Sequence, residues 1–229
     1  MTKIEAITKQ QSLHNALGPK FLYGAASASY QIEGGFDADG KGQNIWDVYL
    51  RSQDNGEVAC DSYHLWKEDI KLLKAYECNT YRFSISWARI RPLGMCFLLF
   101  SCFPVLLVGL NLYWRQSRLM ELPGGKNDPV NEAGIKYYSD LIDVLLAEDI
   151  TPCVTIFHWD HPQELENRYK GFSSENIVED FVAYAKVLFE RLGDRVKHWI
   201  TINEPFIISM LHSMAIRKDS WVRDKDNAM

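Results

Sequence analysis

Residues 150–159 read ITPCVTIFHW, a short apolar run of strand length that ends on histidine and tryptophan. The segments on either side have a different period. Before it, DPVNEAGIKYYSDLIDVLLAED sets Ile135, Tyr138, Leu141, Ile142, Leu145 and Leu146 on one stripe, with Asn131 as a candidate cap. After it, SSENIVEDFVAYAKVLFERLGD is a second long amphipathic run, opened by Ser173 or Ser174 and closed near Gly193. VKHWITINEP then returns to strand character.

The same alternation extends towards the N-terminus. KFLYGAASASYQIEG predicts a short strand from Phe21 and a small-residue loop to Gln31 and Glu33. DSYHLWKEDIKLLKAYE predicts a helix capped by Asp61 or Ser62, and TYRFSISWARI alternates with period two as a strand. Strand, helix, strand, helix is the pattern of a parallel α/β sheet with crossover helices, which brings all strand C-termini to one face. Gln31, His158, Asp160, Asn203 and Glu204 fall at those ends. Both a (β/α)8 barrel and a doubly wound open sheet place their ligands there. The sequence holds no GxGxxG and no P-loop, which disfavours a nucleotide.

Composition narrows the partner. The chain of 229 residues is 47% hydrophobic and 24% charged, with a net charge of −5 and no basic run. That excludes a nucleic-acid surface and favours a small neutral ligand. Seven tryptophans include Trp46, Trp66, Trp87, Trp159 and Trp199 near strand and loop signals; each can pack in a core or stack on a sugar ring. Five cysteines, with no CxxC, argue against a disulfide framework and a zinc site. No cofactor or metal is implied. The polar start, MTKIEAITKQQSLHNALGPK, lacks the apolar core of a signal peptide, so a cytoplasmic location is expected.

Six blocks in order, YGAASASYQIEGG, DSYHLWKEDIKLLK, TYRFSISWARIRPLG, NDPVNEAGIKYYSDLIDVLL, TPCVTIFHWDHPQEL and RVKHWITINEP, resemble glycoside hydrolase family 1, the β-glucosidase type, and most of all its fungal intracellular members. The resemblance implies a (β/α)8 TIM barrel, of which only about the first four βα units are present, and retaining hydrolysis of β-D-glucosides or related oligosaccharides. Glu204, in the Asn-Glu-Pro motif, corresponds to the general acid/base. Gln31 and His158 match residues that hydrogen-bond hydroxyls of the non-reducing-end sugar. Asn203 matches the residue that binds the 2-hydroxyl. Arg82 matches an arginine beside the nucleophilic carboxylate, and Trp159 belongs to the same substrate-binding face.

The chemistry fits those residue types. A glycosidic oxygen leaves well only if protonated as the bond breaks, and a carboxylic acid partly buried at a strand end can supply that proton. Pro205 ends the strand, and the Asn203 amide both donates and accepts. Plainer readings stand beside these. A strand-end glutamate is often a salt-bridged structural acid, and Arg82 could pair with such an acid. His158, Asp160 and His161 could bind a metal but lack a third-ligand cluster. His64 and His198 suit packing or surface roles. Glu33 reads as structural, paired with Arg82 or a backbone amide.

Two departures qualify the resemblance. A retaining glycosidase needs a second carboxyl about 5–5.5 Å from the acid. The family's Ile/Val-Thr-Glu-Asn-Gly nucleophile motif does not occur in this chain, and resemblance fades after Ser209. The alternative is therefore a truncated, catalytically inactive fragment, a half barrel exposing two strand edges and one sheet face. Second, residues 95–114, MCFLLFSCFPVLLVGLNLYW, are uncharged and long enough to nominate a membrane span. A span there would separate consecutive barrel elements across a bilayer. Residues 95–124 are instead expected to be an insertion into one partial glycosidase domain, 1–229, and residues 210–229 a divergent tail.

Overall fold

The computed structural model describes residues 18, 20–50, 55–92, 126 and 128–210. Four parallel strands, β1 (Gly24–Ala26), β2 (Thr80–Ser84), β3 (Thr151–Phe157) and β4 (His198–Ile202), form one sheet in chain order. Ala26 lies opposite Arg82, Ser84 opposite Thr155, and Phe157 opposite Ile202. All four C-terminal ends thus meet at one end of the sheet, as the alternation of periods predicts. Between the strands the described residues form seven α-helical segments: α1 (Ser29–Ile32), α2 (Ile45–Tyr49), α3 (Ser62–Ala75), α4 (Trp87–Ile90), α5 (Glu132–Ala147), α6 (Gln163–Tyr169) and α7 (Asn176–Leu192).

The long crossover helices α3, α5 and α7 carry the predicted stripes. Ile135, Tyr138, Leu141, Ile142 and Leu145 of α5 are buried, whereas Leu146 is exposed. They join Tyr81 and Phe83 of β2, Val154 and Ile156 of β3, and Tyr184 and Leu188 of α7 in one core. Alternation along β2 and β3 turns Arg82, Cys153 and Thr155 to the opposite face of the sheet. Asn131 caps α5 by accepting from the Ala133 amide, as expected. Gly134 brings α5 against the preceding segment: a Cβ there would stand 2.4 Å from the Arg89 carbonyl oxygen.

Three local expectations are corrected. Asp61 stands at the N-cap of α3 but makes no capping bond; its left-handed φ of 52° turns the side chain towards His64 Nδ1, 2.5 Å away. The strand expected over residues 80–90 stops at Ser84, and Trp87–Ile90 is a helical turn. Ile85, Trp87, Ala88, Arg89 and Ile90 are all fully buried, so apolar alternation there has no solvent side to mark the period. Among the described residues the Glu33 carboxyl partners neither Arg82 nor an amide: it accepts from Tyr138 Oη at 2.6 Å and Arg89 Nε at 3.2 Å. Arg89 lies 3.9 Å over the Tyr63 ring and is fully buried, so a desolvated cation is met by a carboxylate and an aromatic face.

Among the described residues β1 pairs only with β2 and β4 only with β3, leaving two open edges. Leu65 and Leu72 of α3 and Val178, Val182 and Phe189 of α7 remain exposed. No helix among the described residues is long and apolar enough to cross a membrane. Residues 95–124 and, beyond Met210, the expected tail lie outside the described residues.

Candidate active site

The four strand tips are tied together by polar bonds. At the β4 tip, Asn203 is buried; its amide N–H donates to the Phe157 carbonyl at 2.9 Å. Its side-chain oxygen accepts from Arg82 Nη2. Arg82 Nε donates to Thr155 Oγ1 at 2.9 Å, so one guanidinium spans β2, β3 and β4. Trp159 Nε1 donates to the Asn203 carbonyl at 2.7 Å, and Trp46 Nε1 to the Trp159 carbonyl, also at 2.7 Å. Trp159, partly buried, packs against the core and ties the β3 tip to the β4 tip. Gln31 lies exposed on α1, at the same end of the sheet.

His158 is half-buried at the β3 tip. Burial lowers its imidazole below the usual range, the Arg82 cation adds to that, and the Glu204 carboxylate opposes it. His158, Arg82 and Glu204 thus share one electrostatic neighbourhood. Glu204 follows Asn203 directly and is exposed; its carbonyl accepts from the Ile207 amide at 2.9 Å, which starts the helical residues 205–210. The partial burial expected around this carboxyl is not provided by the described residues.

The HWDH cluster diverges. The Asp160 carboxyl turns to Ser29 Oγ at 2.7 Å and His161 Nε2 to Glu166 Oε2 at 3.1 Å. Among the described residues no group of three or more His, Cys, Asp or Glu side chains is placed to hold a metal. His198 and His64 are exposed on the surface.

Sequence reading missed the backbone signal at these tips. Trp159 has φ 72° and Glu204 φ 43°, both in the left-handed region that bulky residues avoid. Such conformations cost about 1–3 kcal/mol each and concentrate at functional sites. Neither residue type announces such a backbone. The bonds that Ser29 and Ser84 make between strand tips were equally illegible, since serine in a small-residue loop signals only a turn.

A sequence profile described as Glycosyl hydrolase family 1 matches residues 13–97 and 111–217. Beta-glucosidase 1B of Phanerodontia chrysosporium is 49% identical over 204 residues, which cover 86% of this chain and 32% of that protein. Beta-glucosidase 11 of Oryza sativa subsp. japonica is 44% identical over 213 residues, covering 88% and 34%. Among solved structures, the GH1 beta-glucosidase from the fungus Humicola insolens in complex with glucose matches with a TM-score of 0.69 at 41% identity, over 84% of this chain and 35% of that one. The beta-glucosidase from Trichoderma harzianum matches at 0.66 and 41%, over 81% and 34%. The chain belongs to glycosyl hydrolase family 1, and its four-stranded sheet is part of a (β/α) barrel. It spans about a third of the length of the curated relatives it matches.

Proposed function

We propose that this chain supplies the acid-bearing part of a retaining β-glucosidase site. Glu204 is the proton donor to the glycosidic oxygen and then the base for water. Asn203 holds the 2-hydroxyl, and Gln31 and His158 hold hydroxyls of the non-reducing-end sugar. Trp159 offers an aromatic wall. The ligand is a neutral β-D-glucoside or short oligosaccharide, in keeping with a net charge of −5 and no basic run.

The observation that carries this reading is the state of Arg82. It is a half-buried cation whose hydrogen bonds go to the neutral oxygens of Thr155 and Asn203, with no carboxylate in an ion pair among the described residues. A guanidinium in that position is suited to a neighbouring carboxylate, which is what a nucleophile beside Glu204 would supply. That nucleophile motif does not occur in residues 1–229, which favours a second reading: a chain that binds sugar but does not turn it over. Purified chain should be assayed with p-nitrophenyl β-D-glucoside and, separately, for D-glucose binding by tryptophan fluorescence. Turnover lost in Glu204→Gln establishes a complete site. Glucose binding without turnover establishes the second reading, and neither binding nor turnover overturns both.

We read residues 95–124 as an insertion that is either translated intron or a gene-model error. Arg91 Nη1 donates to the carbonyls of Lys126 and Asp128, each at 2.9 Å, so the chain leaves and returns at one place. The Asn131 amide likewise bonds the Ile90 carbonyl at 2.8 Å. Transcript sequencing across codons 90–128 tests this; finding only the long form would refute it. A reducing, cytoplasmic location suits Cys60, Cys78 and Cys153, which form no disulfide among the described residues.

A further inference from the structure

Ser29 is the junction of three strand tips. Its amide donates to Ser84 Oγ at 2.8 Å, at the end of β2. Its hydroxyl donates to Asp160 Oδ2 at 2.7 Å, beyond β3, and accepts from Ser84 Oγ at 3.1 Å. Ser29 and Asp160 are 4% and 0% exposed and 131 residues apart in sequence. Gln31 lies two residues after Ser29, and His158 two residues before Asp160. The four-residue helix that carries Gln31 has no side-chain cap at Ala28; its start is anchored by the Ser29 bonds together with those of Ser27 to the Arg82 carbonyl and Tyr81 Oη.

Stability alone does not account for Asp160. Its Oδ1 is buried with no hydrogen-bond partner among the described residues, and its other oxygen receives a single bond from a neutral hydroxyl. Burying a carboxyl for one such bond disfavours folding. The neighbouring Trp159 is held at positive φ, so the backbone that aims His158 is itself strained and needs an external tether.

We propose that Ser29 and Asp160 form a positioning clamp that fixes the spacing of Gln31 and His158 across the sugar-binding end of the sheet. The clamp rests on the reading of the site given above. Neither residue touches the sugar. Ser29 sets where α1 begins and Asp160 sets where the loop after β3 turns, so the two hydroxyl-binding side chains are held from below at one separation.

The test uses the 229-residue chain and two readouts. Imidazole titration followed by NMR reports on His158 without any ligand; burial holds this imidazole below its ordinary 6.5. D-glucose binding, followed by tryptophan fluorescence, reports on the site. Ser29→Ala and Asp160→Ala should each move the His158 midpoint up towards 6.5 and each weaken glucose binding roughly tenfold. The double variant should lose no more than Ser29→Ala alone, because that variant has already removed the Ser29–Asp160 bond, along with the weaker one from Ser84. Ser29→Thr, which keeps the hydroxyl, should restore both values. Additive losses, or a Ser29→Ala protein with unchanged titration and affinity, would overturn the clamp. A wild-type chain that binds no glucose would defeat the site reading alone, and the His158 titration would still decide the clamp. If the alanine variants do not fold, Ser29→Cys, of similar size but a weak donor, takes their place in the same comparison.

Discussion

Arg82 on β2 reaches past β3 to donate to the side-chain oxygen of Asn203 at the tip of β4. On the way its Nε bonds Thr155 Oγ1 at 2.9 Å. One planar fork therefore fixes three strands, and the residue assigned to the sugar's 2-hydroxyl is oriented from behind. Arg82→Lys keeps the charge but cannot make both bonds from one rigid plane. It should leave the buried Asn203 oxygen under-satisfied and cost about 1–3 kcal/mol. Urea denaturation of the two proteins measures this; equal midpoints would show that the fork contributes nothing to the sheet.

The Glu33–Arg89 pair predicts a larger loss. Both groups are buried, and Arg89→Met would leave the Glu33 carboxyl beside Tyr138 without its cation. Breaking a buried pair from one side typically costs about 3–5 kcal/mol. The double variant Glu33→Gln, Arg89→Met should recover part of that loss, since no charge is stranded. A double variant less stable than Arg89→Met would show that the carboxylate is held by groups other than this arginine.

Much of this architecture is legible because it is periodic. Ile135, Tyr138, Leu141, Ile142 and Leu145 repeat at helical spacing and are all buried, and Thr151–Phe157 is bounded by two such helices. The order of strand tips follows from that alternation, so Gln31, His158, Asn203 and Glu204 could be placed at one end from the residues alone. What sequence does not carry is non-local. Nothing near Glu33 says that its cation is Arg89 rather than Arg82, because the choice is made by α5 bringing Tyr138 alongside. Full burial of Trp87–Ile90 erases the polar phase that separates a strand from a helical turn. The left-handed backbone at Trp159 and Glu204 is signalled by neither residue type.

Asp160 gives a pH dependence of definite sign. Burial pushes its carboxyl up to about 7 in the folded chain, from an ordinary 3.8; the Ser29 hydrogen bond works in the opposite direction. The folded state then binds a proton that the unfolded state releases. Its contribution to stability is complete below about pH 4 and is lost as pH rises towards 7, where both states are ionised. The size is at most a few kcal/mol. Asp160→Asn cannot ionise, so the difference in unfolding free energy between wild type and variant should shift in favour of the variant between pH 4 and 7 and then level off. A difference that stays flat across that window would show that the carboxyl is ionised in the folded chain.

The outer flanks of the sheet predict self-association. Leu65 and Leu72 on α3 recur at a spacing of seven, and Val178, Val182 and Phe189 on α7 at four and seven. All five are exposed, at 47%, 58%, 58%, 59% and 48%. These helices belong to the first and last crossovers, so each stripe accompanies an edge that is unpaired among the described residues, β1 on one side and β4 on the other. Apolar stripes beside unpaired parallel strands are poorly tolerated in water, and edges of this kind recruit further chain. The purified chain should bind a hydrophobic dye and grow in apparent mass with concentration. Val178→Lys with Val182→Lys puts two like charges on one face of α7 without touching the core, since both positions are exposed. It should cut dye binding and shift the concentration dependence upward while leaving the stability within about 0.5 kcal/mol of wild type. A monodisperse wild-type chain that binds no dye would show that these stripes are already covered.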